Sequence, residues 1–158
     1  RIRAEAHRGG HVILKFNHVT DLRILAALRE ASAAGARTDL VARTTLTEVA
    51  EGVHAKSVVG RFLEHARVAA FRNGGRWLVY AGSLDAMPRN FDRRYELFFP
   101  VTDPAARRLV LAELRAQVAD DVNSFDLRAD GTETTRWGGT VDAQHLDGHR
   151  RRRRRPSR

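Results

Sequence analysis

The segment 12–43, VILKFNHVTDLRILAALREASAAGARTDLVAR, decides how the chain folds. Val12, Ile13, Leu14 and Phe16 form an apolar, β-rich run of the kind a buried strand needs. Lys15, Asn17 and His18 fall at or beyond its expected C-terminal end, where ligands gather in open α/β sheets. Thr20 is placed to cap a helix from about Asp21 to Ala34, and Asp21 complements the dipole of its first turn. Leu22, Ile24, Leu25, Leu28 and Ala31 supply an apolar stripe at helical spacing, and Gly35 ends it. Thr38 to Ala42 then returns as a strand that finishes in Arg43. Strand, helix and strand imply a parallel pair joined by a right-handed crossover, which places Lys15, Asn17 and Arg43 at one edge of a sheet.

Working outward, residues 1–11 read as the end of an upstream segment broken at Gly9-Gly10, with His7 and His11 as solvated loop histidines. Residues 44–56 lack a clear period and suggest a loop or a short helix over Leu46 to Val53, with His54 on the surface. Ser57 to Gly60 is a short β-branched segment, after which Arg61, Glu64, His65 and Arg67 crowd four ionisable groups into seven positions. Val68 to Phe71 resembles a buried strand, Asn73-Gly74-Gly75 is a turn, and Trp77 to Tyr80 is the returning arm of a hairpin. Gly82-Ser83 closes that arm. Met87 to Arg94 reads as a loop holding Arg89, Arg93 and Arg94, and Tyr95 to Phe99 as a strand stopped by Pro100. Asp103 and Pro104 start a long helix whose stripe is Leu109, Val110, Leu114 and Val118. Phe125 to Arg128 and Thr132 to Trp137 suggest a terminal hairpin, and 138–158 a disordered Arg-rich tail.

At 158 residues and 42% hydrophobic, the chain suits a single α/β domain, 12–137, with one mixed sheet flanked by helices. It has no apolar run of about eighteen residues and no leader pattern, so a cytoplasmic address is expected. The absence of cysteine excludes disulfides and cysteine-ligated zinc, and no His/Asp/Glu pair stands at metal-ligand spacing on an expected helix. Seven of the nine net positive charges lie in Arg150–Arg155 and Arg158, which leaves +2 for the first 149 residues. Such a tail holds any polyanion, nucleic acid included, in a salt-dependent and non-specific way.

An imidazole among arginines suits phosphoryl transfer, which asks mainly for dense positive charge around the non-bridging oxygens. Arginine offers a planar fork that stays charged, and histidine can accept a phosphoryl group or pass a proton near neutrality. His65-x-Arg67 followed by Gly82-Ser83 resembles the half-site of the phospholipase-D-like fold, a His-x-Lys element before a Gly-Ser turn, with arginine in place of lysine. More closely, SVVGRFLEHAR (57–67), FRNGG (71–75) and MPRNFDRR (87–94) resemble the C-terminal domain of the phosphohistidine type of polyphosphate kinase, a likeness running from about Ile13 to Val122.

That resemblance implies a phospholipase-D-like fold and an active site shared between two such domains, each giving one histidine. The histidine that becomes phosphorylated is expected in the preceding domain, outside this chain. His65 matches the second histidine, near the nucleotide phosphates and acting as an acid, and Arg43 matches a nucleotide-binding arginine. Arg61, Arg67, Arg89, Arg93, Arg94, Lys15 and Asn17 are the further phosphate-side candidates. The implied substrates are ATP or ADP and polyphosphate, with Mg2+ implied by the family and no ligand for it identified here. The chain departs from the family pattern after Arg43, where thirteen unrelated residues replace a longer, cysteine-bearing loop. The expectation is a kinase fragment completed by upstream domains or a homo-oligomer. The alternatives are a non-catalytic domain that binds nucleotide or polyanion, and a nucleic-acid accessory protein acting through the tail.

Overall fold

The computed structural model describes residues 1–46, 48–130, 132–135 and 139–145. β1 (His11–Val19) is the strand around which the rest is laid: its alternate side chains enter two different cores. Val12, Leu14 and Phe16 face one side of the sheet and Ile13 the other, so β1 is apolar on both faces, as a central strand must be. α1 (Leu22–Ala33) carries the chain across to β2 (Arg37–Leu46), which lies parallel to β1. β3 (His54–Val58) adds a third parallel strand beyond β2.

β4 (Arg67–Phe71) returns antiparallel on the other side of β1, and β5 (Leu78–Gly82) pairs with it through the expected turn at Asn73–Gly75. Gly74 and Gly75 both take positive φ there, which explains why glycine occupies the turn. α2 (Pro88–Arg93) precedes the edge strand β6 (Phe98–Pro100), and α3 (Pro104–Ala119) leads to β7 (Ser124–Leu127) and β8 (Glu133–Thr135). The eight-stranded mixed sheet has the order β6-β5-β4-β1-β2-β3-β7-β8. α1 covers the face of Leu14, Phe16 and Leu40 with Leu25 and Leu28; α3 covers the face of Ile13, Val41 and Val79 with Leu111, Leu114 and Val118. Truncating a fully buried member such as Leu114 to alanine costs about 2–5 kcal/mol.

Several local expectations are corrected. α1 is capped by Asp21 and not Thr20: the Asp21 carboxylate accepts from the Arg23 amide at 2.8 Å. Residues 54–58 are a strand, not loop or helix, because pairing to β2 and β7 overrides their weak local pattern. Met87 to Arg94 is not a loop: Pro88 starts a short helix, its missing amide costing nothing at the first position. The strand expected at Tyr95 to Phe99 shrinks to Phe98–Pro100, and Tyr95 is fully exposed. In α3 Leu109 points outward and Leu111 inward, so the buried stripe runs Leu111, Leu114, Val118. Lys15 and Asn17 lie within β1, which continues to Val19, and both are buried.

The segment 139–145, expected to belong to a disordered tail, returns to the body. The Asp120 carboxylate accepts from the Ala143 amide at 2.8 Å, and Asp121 accepts from the amides of Thr140 and Val141. The arginine run at 150–155 lies outside the described residues.

Candidate functional site

The register between β1 and β2 slips where Phe16 faces Ala42 and His18 faces Thr45, so Asn17 opposes two residues, Arg43 and Thr44. A bulge of this kind re-aims a side chain. Arg43, inside β2 and not at its end as expected, donates from Nη1 to the Glu64 carbonyl at 3.2 Å, while its own carbonyl accepts from Ser57 Oγ at 3.0 Å. The arginine of one strand thus anchors the peptide next to His65.

Residues 59–66 form the connection between β3 and β4, and distant groups pin it from below. Gln144 accepts from the Phe62 amide and donates to the Phe62 carbonyl, both at 2.8 Å, and also donates to Glu64. Gln117 donates to the other Glu64 oxygen at 2.9 Å, and Lys15 forms a close ion pair with the same carboxylate. Burial pushes the Glu64 carboxyl up, but Lys15, Gln144 and Gln117 outweigh it and hold it below the usual range. Glu64 therefore turns under the sheet, away from His65. Lys15 is spent on that anchor; it stands on the wall of a cavity of about 620 Å³ between the connection and α3.

His65 itself is exposed, and its Nδ1 lies 3.0 Å from Arg67 Nη1, which also donates to the His65 carbonyl at 2.8 Å. The other side of the Arg67 fork meets Asp85 through Nε at 3.4 Å and Nη2 at 3.2 Å. Asp85 accepts in turn from the Asn17 amide at 2.8 Å and the His18 amide at 3.4 Å. Burial raises the Asp85 carboxyl, and the guanidinium with the strand amides more than reverses this, leaving it below its ordinary value. The Asn17 carboxamide, turned so that its oxygen faces Arg67, accepts from Nε at 2.9 Å and donates to the Glu64 carbonyl at 3.1 Å.

This geometry fixes the chemistry of the imidazole. A guanidinium only donates, so His65 Nδ1 must accept and the ring proton sits on Nε2. In that state Nε2 offers a hydrogen bond outward and has no lone pair for attack on phosphorus.

The remaining candidates spread around this rim. Arg61 is exposed, its guanidinium 5.7 Å over the Phe62 ring, and shares with Arg43, Val59 and Leu63 a hollow of about 400 Å³. Arg94 follows α2, where its charge and that of Arg67 both help to lower Glu96, after the larger effect of the Ser83 hydroxyl bond. Arg89 and Arg93 are exposed on α2, and among the described residues no hydrogen bond or ion pair joins either to His65 or Arg67. The acids that might have neutralised this group go elsewhere, Asp85 to Arg67 and Asp92 to Arg23. Among the described residues no group of three His, Cys, Asp or Glu is arranged to hold a metal ion.

Asp85, Gln117 and Gln144 escaped the sequence reading. Asp85, two residues after the Gly82-Ser83 pair, carried a local signal; Gln144 had none, since its partners are eighty residues away. Nor did the sequence disclose the ion pairs at the opposite end of the strands. There the buried Asp39 accepts from His11 Nε2 at 2.7 Å, His54 Nδ1 at 2.9 Å and Arg37 Nε at 2.9 Å. His11 is thus partnered, not a solvated loop histidine, and His54 lies at the surface as expected while still reaching Asp39.

A phospholipase D family member, Nuc, from Salmonella typhimurium superposes with a TM-score of 0.62 at 15% identity, over 80% of this chain and 86% of that one. At that identity the likeness is one of fold, and the fold is phospholipase-D-like. The family described as Polyphosphate kinase C-terminal domain 2 matches residues 2–144, and the chain belongs to that family. A polyphosphate kinase of Prosthecochloris aestuarii is 40% identical over 129 residues, 78% of this chain and 18% of that protein. A polyphosphate kinase of Streptomyces coelicolor is 40% identical over 164 residues, 93% of this chain and 22% of that protein. The crystal structure of polyphosphate kinase from Porphyromonas gingivalis superposes with a TM-score of 0.81 at 27% identity, over 96% of this chain and 26% of that one. The chain spans about a fifth of the length of these curated relatives. No helix among the described residues is long and apolar enough to cross a membrane.

Proposed function

We propose that this chain supplies the nucleotide side of a phosphotransfer site that moves phosphate between ATP or ADP and inorganic polyphosphate. The observation that carries the reading is the Arg67 bond to His65 Nδ1. It leaves Nε2–H as the outward group, suited to donate to a phosphate oxygen in flight and unsuited to become phosphorylated. Arg43 and Arg61, at the hollow beside it, and Arg94, near Glu96, are placed to bind the phosphates as planar donors. Lys15 and Asn17 support this rim from beneath and do not touch the nucleotide.

The nucleophile then comes from a second domain, either part of the same longer polypeptide or a partner in the cytoplasm. In the family Mg2+ accompanies the nucleotide phosphates, and among the described residues no group of three His, Cys, Asp or Glu is arranged to hold it. The test is complementation: this chain is mixed with the preceding domains of the Streptomyces coelicolor relative, ADP, magnesium and polyphosphate. ATP should form, and His65→Ala should slow it by roughly a hundredfold or more. ATP formation equally fast with His65→Ala contradicts the reading.

A further inference from the structure

The amino ends of the parallel strands form a second cationic surface that phosphotransfer at His65 does not use. Arg37 begins β2 beside His11 and donates its amide to the Gly10 carbonyl at 2.9 Å. The Arg72 amide donates to the His11 carbonyl at 2.9 Å, which sets the turn holding Arg72 and Arg76 against the same spot. Arg8 lies alongside Gly35, where an added Cβ would come 3.6 Å from its Cα. Arg115 arrives from α3, its guanidinium 5.2 Å over the Trp77 ring, and Trp77 packs edge-on against His11 with centroids 5.0 Å apart.

Arg8, Arg37, Arg72, Arg76 and Arg115 are all exposed, whereas the carboxylates beneath them, Asp39 and Glu5, are buried. Asp39 is already gripped by Arg37 and two imidazoles, and Glu5 lies 3.4 Å from the His11 amide. The surface thus presents arginine forks outward and keeps its counter-charges inside, while the body as a whole carries little net charge.

We propose that this pole is a second polyanion site, which holds a distal stretch of the inorganic polyphosphate chain whose end is processed at the His65 rim. The proposal rests on the phosphotransfer reading for the identity of the polymer. β1 separates the two poles by roughly 30 Å, nine residues at strand rise, so only a long chain engages both. Single-stranded nucleic acid is the less suitable occupant because it binds by stacking bases on free aromatic faces. The indole at the centre of this surface, Trp77, is occupied by Arg115 and His11.

The test uses the full chain carrying Trp137→Phe, so that Trp77 is the reporter, with and without Arg8→Gln, Arg72→Gln and Arg76→Gln together. Polyphosphate of about a hundred residues should change Trp77 emission and bind about tenfold more weakly to the triple variant, with a shallower salt dependence. Tripolyphosphate and ADP should bind both proteins alike, which separates this pole from the rim. Unchanged Trp77 emission, or equal long-chain affinity in the triple variant, overturns the proposal. Tighter binding of a single-stranded oligonucleotide, lost in the same variant, overturns the assignment to polyphosphate. Loss of ADP binding by both proteins would instead indict the rim, not the pole.

Discussion

At the carboxyl ends of the parallel strands the imidazole of His65 meets a guanidinium; at the amino ends the imidazoles of His11 and His54 meet a carboxylate. The first pairing leaves His65 exposed with a defined proton on its outer nitrogen. The second closes on Asp39, which is 1% exposed and ties the first residues of β1, β2 and β3 into one ionic clasp. The same residue type is thus held with one nitrogen open to solvent at one end and closed into an ionic clasp at the other. What decides is the partner: a donor-only group fixes the imidazole as acceptor and frees its far side, while a buried anion holds the imidazoles as donors.

The sharpest way to break this comparison is to remove each centre and measure stability. Asp39→Ala leaves two imidazoles and Arg37 around a void and should cost about 3–5 kcal/mol in urea unfolding. His65→Ala, at an exposed position, should stay within about 0.5 kcal/mol. Equal losses would erase the distinction. Acid should expose the same asymmetry to a lesser degree. Burial raises the Asp39 carboxyl, but His11, His54 and Arg37 overcome it and lower the folded value well below the ordinary one of about 3.9. Its stabilisation is therefore complete above about pH 4 and is lost as the pH falls through the folded value. Wild-type stability should drop below pH 4 more steeply than that of Asp39→Ala; parallel acid curves would contradict the assignment. The smallest effect concerns the floor of the rim. Gln144→Ala removes three hydrogen bonds under residues 62–64 and should cost about 1 kcal/mol, with faster amide exchange confined to 59–66.

The parts legible in the sequence are those set by local pattern. β1, α1 and β2 follow from apolar periodicity, the β4–β5 hairpin from Asn73-Gly74-Gly75, and the start of α3 from Asp103-Pro104. β3 was obscure because its residues become a strand only through β2 and β7, one of them seventy residues away. His65, Arg67 and Arg43 could be singled out by charge density and strand ends, helped by family resemblance. Their supports were less legible: Asp85 under Arg67 had only its place after Gly82-Ser83 to mark it, and Gln144 under Glu64 is a tertiary fact. The Asp39 clasp was hidden for the same reason, since His11 and His54 lie 28 and 15 positions from the carboxylate they share.

Arg43 holds the peptide beside the imidazole, and the proposed function requires the two side chains to act together on one nucleotide. A double-mutant cycle on ADP affinity, with Arg43→Ala, His65→Ala and the pair titrated by calorimetry, tests it most directly. Each single change should weaken ADP about tenfold, and the pair by less than the product, with a coupling of about 0.5–1 kcal/mol. Unchanged affinity in the single variants, or strictly multiplicative losses, would mean that the two side chains do not share a site.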